Sequence, residues 1–425
     1  MFQIISNAIR LILTRGVNAL ALLGLTVVIS RKLGPHLFGD FSFMNAIVLT
    51  GIVIAGYGLD TFLVREVSRD RKSGQALLST VLSFKILSSL AVFSVSVVIF
   101  GYVFKSENLT RYIWLFSTVI FLNSISQTFW YYSDAFDNFR LHSVLWAASN
   151  VLKVVIVWVF LLVQISLSAA IFAIIFAEFV TMTVSYWATS AKYRLKLHFV
   201  AFGAVTRLFR RCFPMALIFG LSAIYFRIGI MMLELMDGKY AVGQYAAAFK
   251  MVELLSIVPH TVCLAAFPSL SVNFVDDMDE FFRNSSKILM FLGISGLFLS
   301  LLLYVFAGSV INLIYGSAYT EAVDALKIFA WIVLLLFVNG YFAYLNLAGN
   351  LEMFVASVIV SATVLHVFLN FHLIPQYSHV GAAYAALFSE ILMLTLYLGH
   401  FIVRKRNKGT LGGGHVVKRN NTGVF

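Results

Sequence analysis

Charged side chains occur inside segments that are otherwise apolar enough to lie in a membrane. The clearest case is the stretch IFGLSAIYFRIGIMMLELM, residues 218 to 236, which carries Arg227 near its middle and Glu234 close to its end. An arginine at the centre of a membrane helix costs about 2.5–3.5 kcal/mol on insertion scales, so other groups must compensate its charge. A guanidinium can bind phosphate or carboxylate through two parallel hydrogen bonds. Arg227 is therefore the first candidate for an anion-binding residue.

Two further segments place a lysine among small or polar neighbours. Lys153 shares a helical face with Trp146 and Asn150, and Lys250 shares one with Gly243, because residues three, four or seven apart lie on one side of a helix. Lipid cannot solvate such faces, so we expect them to line a water-filled cavity. The other charged residues that we expect inside the spans are Arg15, Asp60, Lys85, Glu178, Glu253 and Glu390.

Simpler roles compete with anion binding for some of these cations. Lys250 and Glu253 are three residues apart and can neutralise each other. Arg15 lies one turn inside the first apolar segment and could equally be a topology signal. Arg227 and Lys153 have no acidic partner three or four residues away on their own helices, which favours a functional role for these two.

The composition places these residues in a polytopic membrane protein. The chain has 425 residues, of which 60% are hydrophobic and 12% charged, and it contains only five prolines. Such a composition excludes an ordinary soluble protein. The net charge of +12 sits in short runs between apolar segments, which is typical of topology signals and disfavours nucleic-acid binding. Cys212 and Cys263 have no metal-ligand spacing and are predicted to be packing residues.

Apolar runs of about twenty residues predict an all-α membrane protein with twelve transmembrane helices. The predicted spans are 11–31, 41–63, 77–101, 111–132, 143–163, 168–189, 214–236, 242–265, 287–310, 327–348, 353–373 and 380–403. With the N-terminus inside, the cytoplasmic segments hold 19 Lys and Arg, against three in the outside loops, or six with the edge residues. The positive-inside rule therefore predicts that both termini are cytoplasmic.

An internal repeat divides these spans into two predicted lobes. LGPHLFGDFSF (33–43) aligns with DGKYAVGQYAA (237–247), and QISLSAAIFAIIFAE (164–178) aligns with QYSHVGAAYAALFSE (376–390). An offset of six spans preserves orientation, so the halves should be related by a pseudo-two-fold axis along the membrane normal, around a central cavity. We expect an N-terminal lobe (1–190), a basic connecting loop (191–213), a C-terminal lobe (214–403) and a basic cytoplasmic tail (404–425).

The acidic residues inside the spans are candidates for charge partners or for coupling. Glu178 and Glu390 occupy equivalent positions in the repeat, where they could neutralise the cations or carry a coupling proton; the partner role is favoured. Asp60, near a cytoplasmic helix end, is more typical of a cap or gate. Lys85 lies close enough to that end to extend its ammonium group to the interface.

Several of these segments resemble a known family. NFHLIPQYSHVGAAYAALFSE, INLIYGSAYTEAVDALKIFA, ISRKLGPHLFGDFSF and DGKYAVGQYAAAFKMVELLSIVP are similar to the polysaccharide exporters of the multidrug/oligosaccharidyl-lipid/polysaccharide (MOP) flippase superfamily. Among these, the chain most resembles the O-antigen (Wzx-type) flippases, and the resemblance covers its whole length. It departs from the family at YYSDAFDNFR (131–140), where a Gly-Leu-Glu-like turn is common, so no role is assigned to that loop.

The resemblance implies a transporter of the bacterial inner membrane rather than an enzyme. The implied substrate is an undecaprenyl-pyrophosphate-linked oligosaccharide, moved by alternating access from the cytoplasmic to the periplasmic leaflet. Arg227, Lys153, Lys250 and Arg15 would compensate the anionic headgroup, while Glu178, Glu390, Glu253 and Asp60 would serve in coupling or charge pairing. Implied partners are membrane lipids, a polysaccharide polymerase and a chain-length regulator. No cofactor is expected beyond coupling to a proton or sodium gradient, and no Gly-rich nucleotide loop indicates ATP binding.

Three other functions remain open at this stage. A lipid II flippase of the same superfamily would be expected to have additional C-terminal spans. A multidrug exporter would be expected to have acidic cavity residues for cationic drugs, whereas the deepest charges without in-helix partners here are basic. A membrane glycan polymerase would need a sizeable outside loop, and the longest predicted one has about sixteen residues.

Overall fold

The protein is helical throughout the part of the chain that can be described. A computed structural model describes the backbone of residues 2–103, 107–195, 198, 202–276 and 278–411, and the side chains between residues 16 and 404 except 100–108, 196–197, 199–202, 214, 265, 268–269 and 271–279. No β-strand occurs among these residues. The helices are α1 (Phe2–Gly56), α2 (Leu59–Arg69), α3 (Gly74–Val103), α4 (Glu107–Asp134), α5 (Phe139–Val163), α6 (Leu167–Tyr193), α7 (Phe202–Met236), α8 (Lys239–Leu255), α9 (Ile257–Asp276), α10 (Met278–Val305), α11 (Ala307–Ile314), a 3-10 turn (Ser317–Tyr319), α12 (Ala322–Ala348) and α13 (Glu352–Leu411).

Two of the helices are too long to cross a membrane once. Helix α1 has 55 residues and α13 has 60, so each would reach roughly 80–90 Å if straight, against a hydrocarbon core of about 30 Å. Each is interrupted by a non-helical residue next to a proline-containing segment: Gly34 (φ 72°) precedes Pro35, and Ser378 (φ 53°) follows Pro375. Both helices therefore comprise two spans joined at a sharp bend.

This geometry accounts for the twelve predicted spans. Nine helical stretches among the described residues are long and apolar enough to cross a membrane, and two of them contain the bends in α1 and α13. Helix α4 is absent from this set, since polar side chains such as Asn123 and Gln127 lower its mean hydropathy. Counting each bent stretch as two spans and including α4 gives twelve.

Three predicted spans are interrupted at positions that hydropathy does not distinguish from the rest of the span. The span 41–63 breaks at Tyr57, which has φ 53°, so α2 begins only at Leu59. The span 242–265 breaks at Ser256, between α8 and α9, and the span 287–310 breaks at Phe306, between α10 and α11. Apolar periodicity continues through each position, so hydropathy alone does not reveal the breaks.

The connection between the two halves is shorter than predicted. Helix α7 begins at Phe202, so the second part of the predicted loop 191–213 is helical. Val205, Leu208 and Cys212 are buried in a cluster with side chains of α2, α3 and α4. The predicted loop is amphipathic in this part, which makes burial of its apolar side favourable. Of the predicted tail, residues up to Leu411 continue α13, and those after it lie outside the described residues.

The helices pack in two groups that meet along α1, α7 and α8. Helices α3, α4, α5 and α6 pack against one another or against α1, whereas α9, α10, α12 and α13 pack against one another or against α7 and α8. Helix α1 contacts both α7 and α8. The exact division into domains, at residues 190 and 214, stays a prediction.

A reciprocal backbone contact joins the two groups where the bend of α1 meets the start of α8, two segments that the repeat aligns. A Cβ atom on Gly39 would clash with the carbonyl oxygen of Lys239, and one on Gly243 would clash with the carbonyl oxygen of Pro35. In the repeat alignment Gly39 corresponds to Gly243 and Pro35 to Lys239, so each half makes the same contact with the other. The absence of a side chain at both glycines lets the backbones approach this closely.

Candidate functional site

A cavity of about 440 Å³ lies between the two helix groups. It is lined by both arms of α1, by α4, α5 and α6, and by α7 and α8 from the other group. Its charged and polar lining residues are Thr26, Asn45, Asn123, Gln127, Asn150, Lys153, Glu178, Arg227, Lys250, Glu253 and Ser256. Five of the eight charged residues predicted as site residues therefore line one space.

Two grooves of 480 and 830 Å³ lie elsewhere and have a different character. The first is lined mainly by apolar side chains of α3, α4 and α6, and its polar lining residues include Ser79, Thr183 and His198. The second lies along α5 and α6 and includes Phe172, Phe176 and Phe179. About half of the surface of each of these three phenylalanines is exposed, as expected for a lipid-facing surface. Neither groove contains Lys, Arg, Asp or Glu, so we place the chemistry in the central cavity.

On the C-terminal side of the cavity, one carboxylate joins two cations. The Glu253 Oε1 atom lies 2.7 Å from Nη2 of Arg227, and its Oε2 atom accepts a hydrogen bond from Nζ of Lys250 at 2.9 Å. Lys250 and Glu253 lie one turn apart on α8, and Arg227 comes from the neighbouring helix α7. The suggested Lys250–Glu253 pair exists, but Arg227 shares the same carboxylate. Arg227 thus pairs with Glu253 rather than with Glu178 or Glu390, the two acids that we expected to neutralise the cations.

On the N-terminal side, Lys153 forms a second ion pair. Its Nζ atom lies 2.7 Å from Oε1 of Glu178 and donates to Oδ1 of Asn150 at 3.3 Å. The amide of Asn123 donates to both carboxylate oxygens of Glu178, at 3.3 and 3.4 Å, and Gln127 donates to Asn123 at 2.7 Å. The chain of amides therefore fixes the carboxylate that faces the lysine.

Glu390 lies outside this cavity, although its repeat equivalent Glu178 lines it. Glu390 is buried inside the C-terminal group, where it accepts hydrogen bonds from the Tyr225 hydroxyl at 2.8 Å and the Asn339 amide at 2.7 Å. His366 borders the same small space, about 20 Å³ in volume. No ion pair reaches Glu390 within the part of the chain that the structure describes, so its predicted role as partner of a cavity cation was wrong.

Asp60 and Lys85 are placed away from the cavity. Asp60 lies in the first turn of α2 and pairs with Lys85 on α3, at 2.5 Å between Oδ1 and Nζ. Lys85 is completely buried, so the predicted extension of its ammonium group to the interface was wrong. The carboxylate of Asp60, rather than water, stabilises the charge of Lys85. The side chain of Arg15 lies outside the described residues.

Apart from Asn150, sequence reasoning missed the amides that line and brace the cavity. Asn123 and Gln127 lie one turn apart on α4, and Asn45 lines the second arm of α1. Asn18 on the first arm accepts a hydrogen bond from Asn150 at 2.5 Å. The spacing of Asn123 and Gln127 on one face of an unusually polar span was a usable signal, but the prediction considered formal charges first.

The described residues contain no group of three or more His, Cys, Asp or Glu side chains that could hold a metal ion. Cys212 and Cys263 are both buried and unpaired with each other. The chemistry available in the cavity is therefore that of ammonium, guanidinium, carboxylate and amide groups. Such a set can bind an anionic, hydroxyl-rich molecule through charge-assisted and neutral hydrogen bonds.

Residues 4–274 match the family model described as "Polysaccharide biosynthesis protein". The chain belongs to this family. A curated relative, the capsular polysaccharide biosynthesis protein CapF of Staphylococcus aureus, is 23% identical over 387 residues, which cover 89% of this chain and 94% of the relative.

Solved structures show that the fold is that of MOP superfamily transporters. A multidrug resistance MATE family transporter, in an inward-facing conformation, superposes with a TM-score of 0.78 at 12% identity, covering 93% of this chain and 96% of that one. The lipid II flippase MurJ, in an inward closed conformation, gives a TM-score of 0.75 at 12% identity, covering 94% and 87%. This family member is thus a multi-pass membrane protein with a transporter fold.

Proposed function

We propose that the protein is a flippase for undecaprenyl-pyrophosphate-linked oligosaccharide repeat units of O-antigen or a similar surface polysaccharide. It would move them from the cytoplasmic to the periplasmic leaflet of the bacterial inner membrane, with both termini cytoplasmic. One observation carries the proposal: Arg227, Lys250 and Lys153 come from both helix groups and line one cavity. Membership of a polysaccharide biosynthesis family and a transporter fold support it.

The chemistry of the cavity suits such a headgroup. A pyrophosphate diester carries two negative charges, which arginine and lysine can bind through charge-assisted hydrogen bonds. Asparagine and glutamine side chains such as Asn45, Asn123 and Gln127 can donate to and accept from sugar hydroxyls. The polyprenyl chain can remain in the lipid, since the exposed faces of the helices are apolar.

Alternating access provides the proposed mechanism. The two helix groups meet closely at the reciprocal contact of Gly39 and Gly243, and the cavity lies between the same groups. Separation of the groups at this end, with closure at the other, would expose the cavity to the opposite leaflet. This is binding and movement of a substrate and requires no bond cleavage, so we do not propose an enzyme activity.

Coupling to a proton or sodium gradient belongs to the proposal, with Glu390 as its candidate residue. A carboxyl group can gain and lose a proton, and Glu390 is buried without an ion-pair partner among the described side chains. A polysaccharide polymerase and a chain-length regulator are proposed as partners that would use the translocated units. Nucleic acid has no part in the proposal.

The two other transporter functions fit the same fold but differ in their demands on the cavity. A multidrug exporter of cationic compounds would need net negative charge, whereas three cations here face two carboxylates. A lipid II flippase would also bind a pyrophosphate-linked glycan. Complementation of strains that lack either the surface polysaccharide flippase or the lipid II flippase would separate these possibilities, and rescue of the second strain alone would contradict the proposed substrate.

Substitution of Arg227 tests the anion-binding role directly. Arg227→Ala should lower surface glycan in a complemented deletion strain about ten- to a hundredfold, the equivalent of a lost charged hydrogen bond of about 1.5–3 kcal/mol. Arg227→Lys should recover part of the export, and Arg227→Glu should be the least active. Membrane abundance should be maintained because Glu253 keeps Lys250 as a partner at 2.9 Å.

A matched control is available on α12. Lys327 is an exposed cation that pairs with Asp324 at 3.6 Å, outside the cavity, and Lys327→Glu should export normally. Full export by an abundant Arg227→Glu protein would contradict the proposal. The same conclusion would follow if export fell only in proportion to the amount of protein in the membrane.

A further inference from the structure

Every described cation of the central cavity already has a carboxylate partner from the protein. Glu253 contacts Arg227 at 2.7 Å and Lys250 at 2.9 Å, and Glu178 contacts Lys153 at 2.7 Å. An arriving anion therefore meets a net charge of +1 from these five groups, not +3. Each of these carboxylates contacts the N–H donors of the cations that a phosphate oxygen would need.

The hydrogen bonds around both carboxylates show what would hold them if a cation were withdrawn. Without Lys153, Glu178 would keep the Asn123 amide, which donates to both of its oxygens and is itself fixed by Gln127. Without Arg227, Glu253 would keep Lys250, which donates to its other oxygen. Neither carboxylate would be left buried and unpartnered, which is the main cost of breaking an ion pair in a membrane.

From this arrangement we propose that Glu253 and Glu178 are resident competitors for the anionic headgroup. In the empty cavity they neutralise the cations, and the two phosphates of the substrate displace them, one in each helix group. The inference rests on the proposed function and deepens it: these two residues set how strongly, and how selectively, the cavity binds anions.

Competition of this kind has two consequences for transport. The empty cavity does not have to keep three uncompensated charges away from bulk water, so it can change conformation without a bound anion. Binding becomes an exchange of one anion for another, which keeps the affinity low enough for release on the other side of the membrane. An anion with a single charged group could engage only one helix group and would compete poorly with both carboxylates.

Binding of farnesyl diphosphate to the purified full-length protein tests the proposal. Isothermal titration calorimetry at fixed pH and ionic strength would compare the wild type with Glu253→Gln and Glu178→Gln. Each variant should bind the probe roughly five- to tenfold more tightly, within the usual range of coupling between two sites. Export of glycan in cells should fall for the same variants, because tighter binding slows release.

Glu66 provides a matched control outside the cavity. Its carboxylate contacts Arg65 at 3.2 Å and Arg211 at 3.4 Å, so Glu66→Gln also removes a charge from a multiple ion pair. The affinity of this variant for farnesyl diphosphate should equal that of the wild type. Glu253→Gln and Glu178→Gln lie in different helix groups, so one of them still tests the proposal if the other fails to fold.

The outcomes separate this inference from the proposed function. Unchanged or weaker probe binding in the folded glutamine variants, with weaker binding in Arg227→Ala, would overturn the competition and leave the anion-binding function standing. Equal binding by the wild type and Arg227→Ala, or no binding by either, would overturn both. Tighter binding in the two cavity variants, with no change in Glu66→Gln, would support both.

Discussion

The two halves of the molecule contain the same pair of buried residues in different surroundings. In the N-terminal group, Asn123 on α4 donates to Glu178 on α6. In the C-terminal group, Asn339 on α12 donates to Glu390 on α13. The glutamates are equivalent in the sequence repeat, and the asparagines occupy the fourth and tenth spans, which the repeat also relates.

Their neighbours give the two carboxylates different chemistry. Glu178 faces Lys153 and the central cavity, so its charge is available for exchange with a ligand. Glu390 instead receives the Tyr225 hydroxyl and is sealed within its helix group. Both halves thus contain an asparagine–glutamate pair, and the third contact differs: Lys153 in the N-terminal group and Tyr225 in the C-terminal group.

Removal of each carboxylate should separate the two roles, with the largest effect in the C-terminal half. Glu390→Ala should lower the free energy of unfolding by about 2–5 kcal/mol, because it leaves a buried space and deprives Tyr225 of its hydrogen-bond acceptor. Glu178→Ala should destabilise less, since cavity water can hydrate Lys153. Thermal unfolding of the purified variants, monitored by size-exclusion chromatography, measures the loss of stability in each variant. A greater loss of stability in Glu178→Ala than in Glu390→Ala would contradict the proposed difference between the two halves.

The two glycines of the reciprocal contact, Gly39 and Gly243, should behave alike, in contrast to the glutamates. Gly39→Ala and Gly243→Ala each place a Cβ against a backbone carbonyl that cannot rotate away, at a cost of about 1–3 kcal/mol to the closed contact. Both should reduce crosslinking of a cysteine pair introduced at His36 and Tyr240, whose rings lie 5.0 Å apart, in a protein without native cysteines.

Gly293→Ala serves as the control for the glycine variants. Its added Cβ would have no neighbour within 4 Å, so crosslinking should remain at the level of the parent protein. Strongly unequal effects of Gly39→Ala and Gly243→Ala would show that the reciprocal contact does not hold the two groups together symmetrically.

The smallest effect is expected for an isosteric change at Glu390. Glu390→Gln keeps a carbonyl oxygen that can accept from Tyr225 or Asn339, so stability should fall by less than about 1.5 kcal/mol, the net value of one hydrogen bond. If Glu390 carries a coupling proton, export should nevertheless fall in this variant, because an amide cannot titrate. Normal export by Glu390→Gln would remove it as the coupling candidate while leaving its structural role intact.

Sequence reasoning succeeded where the signal was local and periodic. The spans follow from apolar runs long enough to cross a bilayer, and the faces that carry Arg227, Lys153 and Lys250 follow from helical spacing. The three cations do line the cavity, and so do Trp146 and Asn150 beside Lys153, whereas Gly243 packs against Pro35. Breaks at Tyr57, Ser256 and Phe306 were missed, because a local interruption of a helix within an apolar run alters neither hydropathy nor periodicity.

Composition and spacing along one chain were enough to predict the class of protein, the number of spans and three cations of the cavity. The pairing of the charges follows only from the packing of the helices. This packing joined Arg227 to Glu253 and Lys153 to Glu178, and it separated Glu390 from both cations. Ion pairing depends on distances of a few ångströms between different helices, and the order of residues along the chain does not contain those distances.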